Sequence, residues 1–357
     1  MFQIASRFWV GGGASANWNA TGNTNWAETS GGANNASVPG SSDDVFFDGN
    51  GNSASTISAA ITIRSLSIGA GYTATLTHSG VTIDILTNLV MGANMTYTHN
   101  IGSVIRFSGT TTGNTITTNG KIMRSITING SGGGWTLQDA LTQSPGVFNF
   151  SWGTLNTNGM TITCPTNFSV TGTAARTLTL GASSIILNGT GTQFDATTTT
   201  NLTFNPNTST ITATNTSATA KTFIGGNLTF NDLTISGDNI TISGNNIFNT
   251  LAVNNGGRTN GLIFTAGSTQ TVSFFTTNGS SGSLAIIKSS SAGSAATLTA
   301  ATAGQVSVDY MSIKDSTATG GAGWYAGANS TNVSGNTGWT FTIPPGAGQM
   351  TVNKGFW

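Results

Sequence analysis

The most constraining feature of this 357-residue chain is a loose internal repeat in its middle, from Leu178 to Val253. Leu178-Thr179-Leu180, Leu202-Thr203-Phe204, Leu228-Thr229-Phe230 and Leu251-Ala252-Val253 recur at nearly even steps along the chain. A second apolar beat lies between them, at Ile185-Ile186-Leu187, Ile211 and Ile240-Thr241-Ile242. Short strands repeating at a period of about 24 residues imply stacked coils, none of which buries its apolar face without its neighbours. In register, Leu178, Leu202, Leu228 and Leu251 would form one column on the inner face of such a stack.

The residues between these beats disfavour helices. Thr is stiff at χ1, Asn and Ser divert backbone hydrogen bonds, and Gly costs about 1 kcal/mol in a helix. The strand candidates are short and alternate apolar with polar residues: Ile61-Thr62-Ile63, Leu66-Ser67-Ile68, Val81-Thr82-Ile83-Asp84-Ile85 and Ile126-Thr127-Ile128. Such alternation turns one face inward and leaves Thr and Ser on the other. Turns are marked by Asn129-Gly130, Asn188-Gly189, Ser236-Gly237 and Asn254-Asn255-Gly256-Gly257, residue types that reach left-handed backbone angles cheaply. The expected fold is all-β, a right-handed parallel β-helix (β-solenoid) with aromatic-rich end caps. A jelly roll or sandwich is the alternative, since short strands and turns describe it too.

Composition divides the chain into an N-terminal cap or attachment segment (1–56), a solenoid body (57–300) and a C-terminal cap with an extended tail (301–357). Six of the eight tryptophans fall in the end zones: Trp9, Trp18, Trp26, Trp324, Trp339 and Trp357. With Tyr325 they are the candidate cap and assembly residues, because the open ends of a solenoid need cover. An outer face rich in hydroxyls and amides, with zero formal net charge, gives little electrostatic protection against association. A parallel homotrimer is therefore the expected state.

Chemistry is sparse. Eleven acidic and eleven basic residues make up 6% of the chain. The basic ones are scattered, so the footprint required for nucleic acid is missing. No apolar run of about 18 residues exists to insert into a membrane, and no secretory signal opens the sequence. The single cysteine, Cys164, reads as a buried apolar group in a strand. Glycoside cleavage requires two carboxylates about 5–10 Å apart. Asp195 with Asp232, Asp232 with Asp238, and Asp309 with Asp315 are the pairs to consider, and turn Asp residues are the plainer reading of each. His78 and His99 have no metal spacing, and no nucleophile elbow surrounds a serine. Asp48-Gly49-Asn50-Gly51-Asn52 resembles half a calcium loop, but Ala59 stands where the bidentate Glu belongs. Gly11-Gly12-Gly13 lacks the Lys-Ser/Thr of a phosphate loop. No catalytic residue, metal site or cofactor is expected.

Two segments do resemble something known. The first comprises Trp9-Val10-Gly11-Gly12, Asn25-Trp26, Val38-Pro39 and Asp43-Asp44-Val45-Phe46-Phe47-Asp48. The second comprises Val308-Asp309-Tyr310-Met311-Ser312-Ile313-Lys314-Asp315-Ser316, Ala318-Thr319-Gly320-Gly321, Trp324 to Ser330 and Gly338-Trp339. Both resemble segments of β-helical structural proteins of tailed bacteriophages, and of some bacterial surface β-solenoids. The resemblance covers both ends and, more loosely, the body. It implies a solenoid in a virion or surface setting and carries over no catalytic residue. The function expected is that of a non-enzymatic virion protein, a tail fibre, spike or capsid decoration, made in the host cytoplasm. Its partners would be its own copies, other capsid or tail proteins, and a host surface glycan. A polysaccharide-depolymerising tailspike and a bacterial adhesin or filament subunit are the alternatives.

Overall fold

The computed structural model describes residues 4–20 and 24–345. They form two compact units, Met1–Thr210 and Ile211–Trp357, a division that falls inside the repetitive body. Among the described residues the regular structure is all strand, with no helix.

In the first unit, successive coils pair in parallel. Ile83, Ile105, Ile126, Phe148, Phe168 and Phe194 are register partners in turn, each one coil beyond the last. All six are buried. Phe148 stacks on Phe168 with centroids 4.6 Å apart, and Phe168 on Phe194 at 5.9 Å. A second column runs Trp135, Leu155, Leu178 and Phe204. Pairing begins at Ala5–Trp9, which lies parallel to Asp43–Phe47 and antiparallel to Trp26–Ala27.

The second unit is built on the same plan. Leu233, Leu251 and Phe275 are successive partners, and Ile240, Leu262, Ile287 and Ile313 form another inward column. Its parallel pairing reaches Trp339–Thr340. The parallel β-solenoid expected from the repeat is present in each unit, and this consecutive parallel register excludes a jelly roll or sandwich, whose strands are antiparallel.

The expected leucine column is different. Leu178 and Leu251 are fully buried, whereas Leu202 and Leu228 are only half-buried. The register partner of Leu178 is Phe204, and Leu202 sits opposite Arg176. In Leu228-Thr229-Phe230 the buried residue is Phe230. An offset by an even number of positions keeps the inward parity of a strand but moves the column. Turn lengths vary from coil to coil, so equal sequence spacing does not mean equal position on the coil.

Asparagines hold several turns. Asn119, Asn158, Asn201 and Asn239 have φ between +48° and +55°. Their side-chain amides donate to the carbonyls of Met91, Leu137, Thr173 and Ala218 on the preceding coil, at 2.6–3.0 Å. Asn tolerates this left-handed conformation because its short polar side chain bonds locally; here it also ties one coil to the next.

Candidate functional site

Five of the expected cap residues lie inside the chain. Trp9, Trp18 and Trp26 are 0–2% exposed and meet edge to face with centroids 5.2–5.3 Å apart, packed around Phe47. Their indole N–H groups donate to Ser53, Ser55 and the Trp18 carbonyl. Trp324 and Trp339 form a second cluster with Phe275, at 5.0–6.2 Å. Tyr325 is half-buried, and Trp357 lies outside the described residues. The five buried rings cover the core of their own unit and leave little area for a neighbouring chain.

The aspartates have structural partners. Asp44 pairs with Arg64, and Asp84 with Arg106 at 2.8 Å. Asp139 accepts the backbone N–H groups of Thr118 and Asn119, and Asp195 that of Thr197. Asp232 accepts from Asn249. Asp238 accepts from Gly261 and twice from Asn260; burial pushes its carboxyl up, but these donors outweigh that and hold it below the usual value. Asp309 is bonded by Tyr310 and Asn329. The strand Met311–Lys314 puts about 10 Å of extended backbone between Asp309 and the buried Asp315, so the two mark opposite ends of one strand. Asp48 accepts the N–H of Asn50 in a local turn.

His78 and Cys164 are also internal, whereas His99 is half-buried. His78 is fully buried; its Nε2–H donates to the Val81 carbonyl and its Nδ1 faces the Tyr97 hydroxyl at 2.9 Å. Burial pushes its pKa down to about 4, with the neighbouring His99 adding to the shift. The Cys164 thiol donates to Gln143 Oε1, and burial pushes its pKa up to about 11, which leaves it a poor nucleophile. No cluster of three His, Cys, Asp or Glu residues suited to a metal occurs among the described residues. No helix there is long and apolar enough to cross a membrane.

One tryptophan among the described residues breaks the pattern. Trp9, Trp18, Trp26, Trp135, Trp324 and Trp339 are buried, and each donates its indole N–H within the chain. Trp152 is 41% exposed. It edges a groove of about 370 Å³ on the wall of the first unit, which Ser131, Thr154, Thr177, Asn201 and Thr203 also line. Thr154, Thr177 and Thr203 are successive register partners, and so are Asn156, Thr179 and Asn205 beside them. The wall is thus a two-column array of hydroxyls and amides, about 4.8 Å from coil to coil and about 7 Å along each strand.

Alternation hides Trp152 from a reading of the sequence. In Phe148-Asn149-Phe150-Ser151-Trp152 the even positions point inward, and Phe148 and Phe150 are fully buried. The register then shifts, with Asn129 opposite Trp152 and Gly134 opposite Thr154. An irregularity of this kind re-aims a side chain. Gly153 makes it possible: its φ is +85°, and an added Cβ would lie 2.4 Å from the Gly130 carbonyl oxygen. The only sequence signal was a tryptophan followed by glycine at the end of an apolar alternation.

No known protein family, curated protein or solved structure matches the chain.

Proposed function

We propose that this chain is a non-enzymatic structural protein displayed on a particle surface, serving as a fibre, spike or capsid decoration of a tailed bacteriophage and assembling with copies of itself. The observation that carries the non-enzymatic part is the use made of the carboxylates: Asp44, Asp84, Asp139, Asp195, Asp232, Asp238 and Asp309 each hold a turn or a neighbouring coil. A general acid and its partner would instead face a common groove. The phage setting rests on the resemblance of the two end segments, and a parallel solenoid suits it by presenting walls rich in hydroxyls and amides.

Two measurements test the proposal. Mass spectrometry and labelled-antibody electron microscopy of purified phage particles should find the chain on the head or tail surface. Purified protein should leave capsular and lipopolysaccharide glycans at full length. Saccharide release abolished by Asp309→Asn would replace this reading with a depolymerising tailspike, and detection only in a bacterial surface filament would replace it with an adhesin or filament subunit.

A further inference from the structure

We propose that the groove beside Trp152 is a binding site for an uncharged polysaccharide, with the indole as stacking platform and the threonine column as the hydrogen-bonding rail. This deepens the surface-display reading and rests on it only for the source of the glycan.

Turning Trp152 outward is costly. Six other tryptophans are buried and hydrogen-bonded, and the Phe148–Phe150 alternation would have buried Trp152 as well. A register shift and a left-handed glycine with no room for a Cβ turn it out instead. An indole offers a flat apolar face and one N–H, matching the C–H face and hydroxyl rim of a pyranose ring.

The groove floor is regular. Thr154, Thr177 and Thr203 stand one coil apart in register, so their hydroxyls recur every ~4.8 Å. Each hydroxyl both donates and accepts, as sugar hydroxyls do. Asn201 closes one side, held by the hydrogen bond that its side-chain amide donates to the Thr173 carbonyl. A small set of placed polar groups beside an aromatic surface is how a concave site orients a ligand.

The groove exposes almost no charge. The one charged residue of the lining, Arg176, is 2% exposed. Its guanidinium points into the coil and donates to the carbonyls of Val170, Ala174, Thr198 and Thr200 at 2.7–3.0 Å. It offers no free fork to a carboxylate or phosphate. Nucleic acid and acidic glycans need exposed cations, which this wall does not present.

The test is affinity electrophoresis and titration calorimetry of the full chain against dextran, laminarin, hydroxyethylcellulose, mannan and galactomannan, with alginate and hyaluronan as acidic controls. The expected result is binding to at least one neutral polymer. Trp152→Ala should weaken it at least tenfold, Trp152→Phe should retain most of it, and Thr203→Lys should block it, all with unchanged thermal melting. Phe274→Ala, which removes an exposed aromatic ring of the second unit, should leave binding intact. Binding that survives Trp152→Ala, binding to the acidic polymers alone, or no binding to any neutral polymer would overturn the site. Failure here leaves the particle-surface reading standing, because that is tested by finding the chain on phage particles and by glycan cleavage, not by glycan binding.

Discussion

At the scale of single residues, the interior carries polar groups wherever a turn would otherwise leave carbonyls unpaired. Arg176 is the clearest case, a buried cation that donates to four backbone carbonyls. Lys221 repeats the device in the second unit: its ammonium donates to the carbonyls of Ser217 and Thr219 at 2.6 and 2.8 Å. Leaving a buried polar group unpaired costs about 1–3 kcal/mol. With several carbonyls orphaned at once, Arg176→Ala is expected to destabilise the chain by at least about 3 kcal/mol, with Arg176→Lys recovering only part, as read by denaturant midpoint. His78 sets a pH dependence of definite sign. Its pKa in the fold is about 4 against about 6.5 unfolded, so between these values the unfolded chain binds a proton that the fold does not. The contribution is fully present above about pH 6.5 and is lost as pH falls toward 4, by about 3 kcal/mol. His99 is shifted in the same direction by burial and by Arg124. Stability measured from pH 7 to 4 should fall less steeply in His78→Gln than in the parent; an unchanged slope would show that His78 does not titrate in this range.

At the scale of the coil, parity and register have separate consequences. Leu251 and Leu228 belong to the same unit and to similar sequence motifs, yet one is fully buried and the other half-buried. Leu251→Asp should cost several kcal/mol, because a lone charge enters a packed interior. Leu228→Asp should cost about 1 kcal/mol or less. Equal losses in thermal melting would show that Leu228 belongs to the core after all. The asparagine ties are testable in the same way. Asn158 sits at φ +55° and its amide reaches the Leu137 carbonyl at 3.0 Å. Asn158→Gly keeps the backbone angle and loses the bond, whereas Asn158→Ala loses the bond and strains the backbone, by about 1–2 kcal/mol more. The order of stability should be Asn, then Gly, then Ala.

At the scale of the whole chain, the aromatic end zones bear on folding before they bear on association. Trp26 is 0% exposed and contacts Trp9, Trp18 and Phe47. Trp26→Ala should cost about 3–5 kcal/mol, as large core truncations do. That loss should be independent of protein concentration, since coupling through an oligomer would make the melting temperature concentration-dependent. Self-association, if the chain assembles as proposed, would then draw on other surfaces; among the described residues of the second unit Phe274, Ile343, Val333 and Ile247, 45–62% exposed, are the large apolar groups open to it. Light scattering of Phe274→Ser beside the parent chain reads this directly.

Composition and alternation determined the fold class. A chain poor in charge, rich in Thr, Asn, Ser and Gly, and alternating at period two can satisfy its backbone only in sheets, and its internal repeat stacks those sheets as coils. The inward parity of Ile83, Ile85, Ile126 and Ile128 was legible for the same reason, since a pleat has a fixed period of two. Register was not, because it depends on the length and geometry of each turn; Leu202 and Leu228 therefore left the column that their spacing suggested. The candidate groove was hidden for a related reason. Thr154, Thr177 and Thr203 belong to three different coils and become one surface only when those coils stack. Trp152 joins them because the register shifts on both sides of it, between Phe150 and Thr154, override the alternation that leads up to it.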